Sequence, residues 1–538
     1  MNAEMLLVLT LALPLVTLAG CLSRQFRRHV AVLLVVAPLP ALATACLLAD
    51  GSTVVLPPAL LGLTLVLDRP GAMLLGAAAL LWITAGAYAG RRFRGNPDGA
   101  RFAVWWLMTL TGNLGAFLAA DMVGFYLFFT LASLAAYGLV VFDGSPEAKR
   151  AAPIYVGLAV FGEALLLMAF VLMATATPDS SLLIGDAVAS FATSPWRDYA
   201  MAFLILAFGL KIGLFPFHVW MPLTYSAAPI PAAAVLSGSA VKVGVIGLIR
   251  FLPFEIPMHN WGEVLVIAGL FSTFYGVAIG ITQTNPKTVL AYSSVSQMGL
   301  LAAVLGMGLS AGEKSAALVA AFSATFHVLV KGGLFLAIGV ATPTKRGVWL
   351  VFVPAVVLAL GLGGLPLTGG ALAKLASKPL MGQGIVGVLA TLSAIGSTLL
   401  MLHFLRRMWS STTQSEARAS LLPWLATALV AIVLPWILYS VVRDEPLRDA
   451  TLPKEIWEAL WPVLLGSLAS LALWRWGRLL PRLPAGDVIA ADKGLVRLAD
   501  ASGAAMEKID RYLREWPVAT ALLVGLATLL SVSASLGR

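Results

Sequence analysis

Cysteine is almost absent from this sequence. Its 538 residues include only Cys21 and Cys46, so no CxxCH motif is present. Two cysteines cannot supply a disulfide scaffold, a cysteine-rich zinc site or an iron–sulfur cluster. A dinucleotide-binding glycine motif in a soluble context is also missing. We therefore predict no cofactor, no metal site, no catalytic residues and no redox centre within the chain, while membership of a larger enzyme complex stays open.

Charged residues are scarce as well. They make up 12% of the chain and hydrophobic residues make up 59%, whereas soluble domains carry about 25% charged residues. Apolar runs long enough to span a bilayer recur along the whole chain. The predicted fold class is an all-α polytopic membrane protein with about 14–16 transmembrane helices of roughly 20 residues each. Loops between the runs are too short for a soluble catalytic domain.

Positive charges are distributed unevenly among the loops. The first apolar run, Asn2 to Gly20, has no basic residue before it, and Arg24, Arg27 and Arg28 come after it. We therefore interpret the run as a first span with its N-terminus outside, and not as a signal peptide. Most other basic loop residues are then cytoplasmic, including Arg91, Arg92, Arg94, Lys149, Arg150, Lys345, Arg346, Arg406 and Arg407.

This bias predicts a multi-pass protein of the bacterial cytoplasmic (inner) membrane. The net charge of +10 mostly reflects the same bias, so it indicates no nucleic-acid partner.

Several ionisable residues fall inside the predicted spans, where each costs about 2.5–3.5 kcal/mol unless it is hydrated or paired. A proton or ion relay is the functional interpretation of so many, and structural pairing is the alternative. The residues are Glu163, Lys211, Lys242, His327, Lys331 and Lys374, with Lys378 and His403 as further candidates.

Two of the predicted helices contain breaks. In "GLKIGLFPFHVWMP", Lys211 is followed by Gly213 and Pro216. In "GLGGLPLTGGALAKLASK", glycines and Pro366 come just before Lys374. A lysine beside each break, in each half of the chain, suggests an internal repeat with ion sites at interrupted helices. Flexible loops between shorter helices are the alternative.

His327 and Lys331 are four residues apart in "FHVLVKGGLF", which places them on one helix face. Imidazole exchanges protons near neutral pH, and a buried lysine loses its proton more easily than an exposed one. A Lys–His–Lys row of this kind can conduct protons. Taken alone, His327 favours the interpretation of a satisfied packing residue over a functional one.

Four ordered blocks of the sequence resemble the antiporter-like subunits of respiratory complex I, hydrogenase-4 and formate hydrogenlyase, and Mrp-type antiporters. The resemblance covers roughly residues 100 to 410. The blocks are "LKIGLFPFHVWMPLTYSAAPIPAAAVLSGSAVKVGVIGLIRF", "NPKTVLAYSSVSQMG", "FHVLVKGGLF" and "GLPLTGGALAK".

The resemblance implies two inverted five-helix repeats, each with a broken helix, linked by a row of charged residues. Lys211 matches the lysine of the first broken helix, and Lys242 matches the lysine of the next helix. His327 and Lys331 match the central histidine and lysine, and Lys374 the charged residue of the second broken helix. The break at Pro216 would expose Lys211 to a water path, with His218 shaping its mouth.

One position departs from the family pattern. The family normally has a glutamate in the fifth span that pairs with the first lysine, whereas this chain has Thr130 in "FFTLASL". Threonine cannot carry the charge. Glu163, in "VFGEALLLM" of the sixth span, is the acid near enough in sequence to replace it, and we hypothesise that it does.

With the resemblance, six segments are predicted. They are N-terminal transmembrane helices (1–100), a first antiporter-like repeat (101–253), a second repeat (254–410), C-terminal transmembrane helices (411–476), a cytoplasmic amphipathic connector (477–514) and a last transmembrane helix (515–538). The connector has apolar residues at helical spacing, so it is either a membrane-surface linker or a docking element for a partner subunit.

The leading functional prediction is a proton-translocating subunit of a multi-subunit energy-converting complex, with membrane and peripheral subunits as partners. One alternative is the ion-driving subunit of an inorganic-carbon uptake complex, paired with one large soluble zinc-binding, carbonic-anhydrase-like protein. Another is a subunit of an Mrp-type antiporter that exchanges sodium for protons. The sequence alone leaves the ion and the direction of transport open.

Overall fold

A computed structural model describes residues 3–476 and 486–487, except 22, 24–28, 94–95, 97, 178–180, 191–193, 342–344, 383, 412–420 and 444–446. Most of the predicted connector 477–514 and all of the last helix 515–538 lie outside the described residues. So do Arg24, Arg27, Arg28 and Arg94, and the side chains of Lys345 and Arg346.

The chain is a multi-pass membrane protein, and the predicted all-α class is confirmed. Among the described residues, twelve helices are long and apolar enough to cross a bilayer, and two shorter apolar helices accompany them. The helices are α1 (Ala3–Gly20), α2 (Val30–Val36), α3 (Leu39–Leu47), α4 (Arg69–Arg92), α5 (Gly99–Leu118), α6 (Met122–Val140), α7 (Pro146–Ala176), α8 (Ile184–Ala189), α9 (Arg197–Ile212), α10 (Trp220–Ala227), α11 (Ile230–Val235), α12 (Lys242–Phe251), α13 (His259–Gly280), α14 (Pro286–Ala311), α15 (Ser315–Val340), α16 (Lys345–Gly363), α17 (Gly369–Met381), α18 (Ile385–Ser410), α19 (Leu421–Val442) and α20 (Pro453–Trp476).

Helix ends follow local signals in the sequence. Asp68 caps α4 by accepting a hydrogen bond from Gly71 N at 2.7 Å, and Asp121 caps α6 by accepting one from Gly124 N at 2.7 Å. Such caps satisfy backbone donors that an isolated helix end leaves free. One element was not expected from the apolar runs: β1 (Ser52–Val55) and β2 (Thr64–Leu67) form an antiparallel hairpin between α3 and α4.

The core helices pack through small residues. Gly269 of α13 and Gly299 of α14 lie so close that a side chain on either would collide with the backbone of the other helix. Close approach of this kind is typical of membrane helix pairs, where van der Waals contact replaces the hydrophobic driving force. The α11–α12 segment is completely enclosed by other helices, as are most residues of α14 and α15. These enclosed helices carry Lys242, His327 and Lys331.

Candidate functional site: the predicted row of lysines and two helix breaks

The first predicted break lies between α9 and α10. Gly213 ends α9 with a left-handed φ of +74°, and Pro216 precedes a short 3-10 turn that leads into α10. Other groups satisfy the backbone that the break frees. Trp220 Nε1 donates to Leu210 O at 3.0 Å, and Phe215 N donates to Ser272 Oγ at 2.9 Å. The helix break is therefore stabilised by hydrogen bonds to the backbone groups that it frees.

Lys211 occupies the last turn of α9 and is buried. Its Nζ donates a hydrogen bond to Ser133 Oγ at 2.7 Å and lies 4.9 Å from the centre of the Phe129 ring. Both partners belong to α6. Lys211 also interacts electrostatically with Glu163 of α7. The first lysine thus meets an acid, a hydroxyl group and an aromatic face in one enclosed cluster.

The sequence raised the question whether Glu163 replaces the glutamate that the family has at the position of Thr130. Glu163 is 6% exposed, and Ser133 and Thr130 are polar neighbours of its carboxyl group. Glu163 Oε1 and Thr130 Oγ1 are buried without a hydrogen-bond partner among the described residues. A carboxylate kept in such surroundings is costly unless a cation offsets it. Lys211 is the cation in reach.

The residues predicted to form the centre of the row lie on α12 and α15. Lys242 begins α12 directly after a π-helical turn, Leu236–Ala240. Its Nζ lies 2.6 Å from His327 Nδ1 and donates to Ser237 O at 3.0 Å. His327 Nε2, on the other side of the ring, is buried without a partner among the described residues. The imidazole ring can therefore carry a proton between Lys242 and the space beyond it.

Lys331 lies one helical turn from His327, as the spacing predicted. Its Nζ donates to Leu290 O of α14 at 3.0 Å, and the lysine interacts electrostatically with both Lys242 and His327. Charges of the same sign repel strongly where water is excluded. Adding a proton at one of these three groups consequently disfavours a charge on the other two.

The second predicted break separates α16 from α17 and includes Pro366. Gly364 has a φ of +92°, and Leu367 also has a positive φ, +62°. Lys374 Nζ donates a hydrogen bond to Gly363 O, the carbonyl group at the end of α16. A side chain at position 364 would collide with Lys374. The positive φ therefore favours glycine at position 364, and a larger residue there would have to displace the end of the Lys374 side chain.

A small cavity of about 60 Å³ lies between the centre of the row and the second break. Its wall includes His327, Lys374, Gln297, Ser323 and Ser377. The rest of the wall is mostly apolar, and the volume is large enough for several water molecules. The space beside Lys211 is much smaller, about 10 Å³, and Tyr155 and Thr224 line it with the lysine.

Three accessory candidates have separate surroundings. His218 is fully buried and packs against the rings of Phe215 and Tyr275. Lys378 forms ion pairs with Glu455 and Glu458 of α20. His403 Nε2 donates to Gln283 O at 2.8 Å, near the end of α13. None of these contacts involves a lysine of the row.

The sequence interpretation missed two polar features. Ser133, the hydrogen-bond partner of Lys211, lies three residues after Thr130, and that spacing on α6 could have identified it. Arg250 forms a largely buried ion pair with Asp68 at 3.0 Å and donates to the carbonyl groups of Phe117 and Ala119, each at 2.7 Å. These contacts tie the end of α12 to the end of α5.

Comparison with known proteins identifies a family of membrane proteins that this chain resembles. The transmembrane family described as NADH:quinone oxidoreductase/Mrp antiporter matches residues 119–399, more than half of the chain. A Na(+)/H(+) antiporter subunit of Alkalihalophilus pseudofirmus is 27% identical over 432 residues, covering 73% of this chain and 85% of that protein. An NADH-quinone oxidoreductase subunit of Desulforudis audaxviator is 30% identical over 288 residues, covering 52% of this chain and 56% of that protein.

Two solved structures share the fold. A chain of the Mrp complex from a Dietzia species superposes with a TM-score of 0.76 at 22% identity, over 100% of this chain and 63% of that one. A chain of the membrane-bound sulfane sulfur reductase, an archaeal respiratory membrane complex, gives a TM-score of 0.67 at 19% identity, over 85% of this chain and 99% of that one.

Proposed function

The chain belongs to the NADH:quinone oxidoreductase/Mrp antiporter transmembrane family, and from this premise we propose that it translocates protons along the row from Glu163 to Lys374. It does so as a membrane subunit of a multi-subunit energy-converting complex. The observation that carries the proposal is the 2.6 Å contact between Lys242 Nζ and His327 Nδ1 in a fully buried cluster. Buried groups at this distance can exchange a proton without a large rearrangement.

In the proposed mechanism, Glu163 sets the charge of Lys211. An ionised Glu163 stabilises the protonated Lys211, and protonation of Glu163 removes that attraction. The proton of Lys211 then moves inward towards Lys242. Like-charge repulsion among Lys242, His327 and Lys331 then favours proton release towards the 60 Å³ cavity and Lys374. Glu163 thereby performs the role that the family gives to a glutamate at the position of Thr130.

An antiporter subunit that exchanges sodium for protons is the second candidate. The relative from Alkalihalophilus pseudofirmus, named as such a subunit, is matched over 73% of this chain. The same buried row would then serve the proton half of the exchange. The inorganic-carbon alternative with a zinc-binding partner stays a prediction from the sequence, and no contact described above favours it.

Orientation and partners belong to the same proposal. The N-terminus lies outside a bacterial inner membrane, as the basic loops predict. The repeats cover 101–253 and 254–410, with accessory helices on either side. Partners are other membrane and peripheral subunits, because both structural neighbours are chains of multi-subunit membrane complexes.

The test uses inside-out vesicles that contain the whole native complex. A valinomycin-induced potassium diffusion potential drives flux, and a fluorescent dye reports the pH gradient. We expect a proton flux that Lys242→Met lowers about 1,000-fold. Wild-type vesicles without any flux would refute the translocation proposal. Sodium added at constant pH separates the candidates, since only an antiporter subunit requires it.

A further inference from the structure

A large cavity of about 790 Å³ lies beside the second break. Its wall is formed mainly by α17, α18 and α20, together with residues of the break itself and single residues of α14 and α19. Pro366 and Lys374 are among its lining residues, as is Trp461 of α20. The described part of the chain offers no comparable space beside Lys211, where the cavity measures about 10 Å³.

This vestibule, as we call the 790 Å³ cavity, adjoins the 60 Å³ cavity described above. Leu300, Lys374 and Ser377 line both spaces. The smaller cavity ends at His327, whose buried Nε2 lacks a partner among the described residues. The two spaces together lead from α20 past Lys374 to an imidazole nitrogen that can exchange a proton.

Charged groups line the vestibule near the start of α20. Lys378 Nζ lies 3.2 Å from Glu455 Oε2 and also contacts Glu458 Oε2. All three side chains are part of the cavity wall. Lys454 approaches Glu458 only at 3.9 Å and is mostly exposed. The two glutamates lie beyond residue 399, where the family match ends.

We propose that Glu455, Glu458 and Lys378 form the entrance of a water-filled vestibule through which small monovalent cations reach Lys374. The proposal rests on the proposed translocation and adds its access port. Among the wall residues near the start of α20, two carboxylates face one ammonium group. This negative excess concentrates cations at the entrance. Lys378 forms ion pairs with both glutamates and also reduces the negative charge at the entrance.

Water access can be tested without any transport. Cys21→Ser and Cys46→Ser give a background without native thiols, into which Thr391→Cys or Ser377→Cys introduces a thiol at the wall of the vestibule. We expect a charged, membrane-impermeant maleimide to label both positions in vesicles. Ile267→Cys, on the exposed apolar face of α13, should not be labelled. Absence of labelling at both vestibule positions, with a permeant maleimide still reacting, would show a lipid-filled groove and overturn the proposal.

The side of labelling provides a second check. Consecutive spans alternate in direction, so Glu255, before α13, lies on the same face of the bilayer as the start of α20. Thr391→Cys should therefore react from the side on which Glu255→Cys reacts. Labelling only from the opposite side would contradict the entrance at α20.

Charge substitutions test the role of the entrance itself. The variant Glu455→Gln/Glu458→Gln should raise the half-saturating cation concentration about tenfold, because the entrance becomes positive. Lys378→Met should change it in the opposite direction. Both variants break the same ion pairs, so a merely structural role would impair both alike. The titration uses protons, and then sodium at constant pH, to identify the cation.

Glu255→Gln is the matched control. Glu255 pairs with Lys314 at 2.7 Å, and both side chains are well exposed. This substitution should leave half-saturation unchanged. Shifts of the same sign in the two entrance variants, or an equal shift in the control, would overturn the electrostatic role. If wild-type vesicles carried no flux, the proposed function would fail, while the labelling experiment would still decide whether the vestibule is open to water.

Discussion

The two helix breaks place a lysine in opposite kinds of surroundings. Lys211 donates to a side-chain hydroxyl group, lies over an aromatic ring and has an acid as electrostatic partner. Lys374 donates to a backbone carbonyl group at the break and lines two cavities. Polar and aromatic side chains surround the charge in the first case, whereas the charge in the second case lies beside open space. The first break therefore suits a switch, and the second suits a port.

Protons can pass from the first break to the second only if the residues between them conduct. Removing one of those residues should therefore have the largest effect on proton flux. Lys242→Met removes the partner of His327 and should lower proton flux about 1,000-fold, within the range of general acid–base effects. Dye quenching in vesicles measures it. Lys287→Met is the control, since Lys287 Nζ lies outside the row and donates to the carbonyl groups of Ser226 and Ala228. Equal losses in both variants would contradict a role for Lys242 in conduction.

The next effect concerns the switch. Glu163→Gln keeps the shape of the side chain but removes its charge, and flux should fall about 30-fold, a typical size for coupling between sites. Adding Thr130→Glu to that variant returns a carboxylate to the same cluster and should restore much of the flux. Unchanged flux in Glu163→Gln, with normal assembly of the complex, would refute the surrogate role.

The port should be sensitive to the geometry of its turn. Gly364→Ala forces a side chain into a left-handed conformation against Lys374, at a cost of about 1–3 kcal/mol. Flux should fall about tenfold as Lys374 is displaced. Gly185→Ala is the control, because a Cβ there meets nothing within 4 Å. Thermal unfolding in detergent and proton flux in vesicles are both measured. If Gly364→Ala matched the wild type in both, position 364 would tolerate a side chain and the prediction would be wrong.

The smallest effect should come from the hydroxyl group that holds Lys211. Ser133→Ala removes one hydrogen bond and leaves Glu163 in place, so flux should fall only about threefold, as expected for roughly 0.7 kcal/mol of net bonding. The same substitution at Ser467, whose hydroxyl donates to Val463 O within its own helix, should have no effect. A loss as large as that of Glu163→Gln would mean that Ser133, and not the acid, controls the switch.

Much of this organisation could be predicted from the sequence. A lysine or a proline is costly inside an apolar run, so Lys211, Pro216 and Lys374 were conspicuous without any structure. The helical spacing of His327 and Lys331 likewise predicted a shared face. These residues can be recognised in the sequence because their polarity or backbone geometry differs from that of the apolar residues around them.

Other parts could not be predicted from the sequence. Gly363 O accepts a hydrogen bond from Lys374, and Leu290 O accepts one from Lys331. Every residue has a backbone carbonyl group, so the residue type does not reveal which one accepts such a bond. The pairing of Asp68 with Arg250 joins residues 182 positions apart, and no helical period relates them. The 790 Å³ and 60 Å³ cavities arise where neighbouring helices do not pack closely against one another. Such gaps depend on tertiary packing and not on local sequence.

The π-helical turn before Lys242 has a consequence for how such a site can arise. Val241 N bonds to Leu236 O, five residues earlier, so this turn holds one residue more than an ordinary α-helical turn. A single-codon insertion produces such a turn, and a single-codon deletion reverses it. Losing one residue here would rotate everything that follows by about 100°. Lys242 would then turn away from His327, and one frame-preserving deletion could convert a conducting chain into an inert membrane bundle.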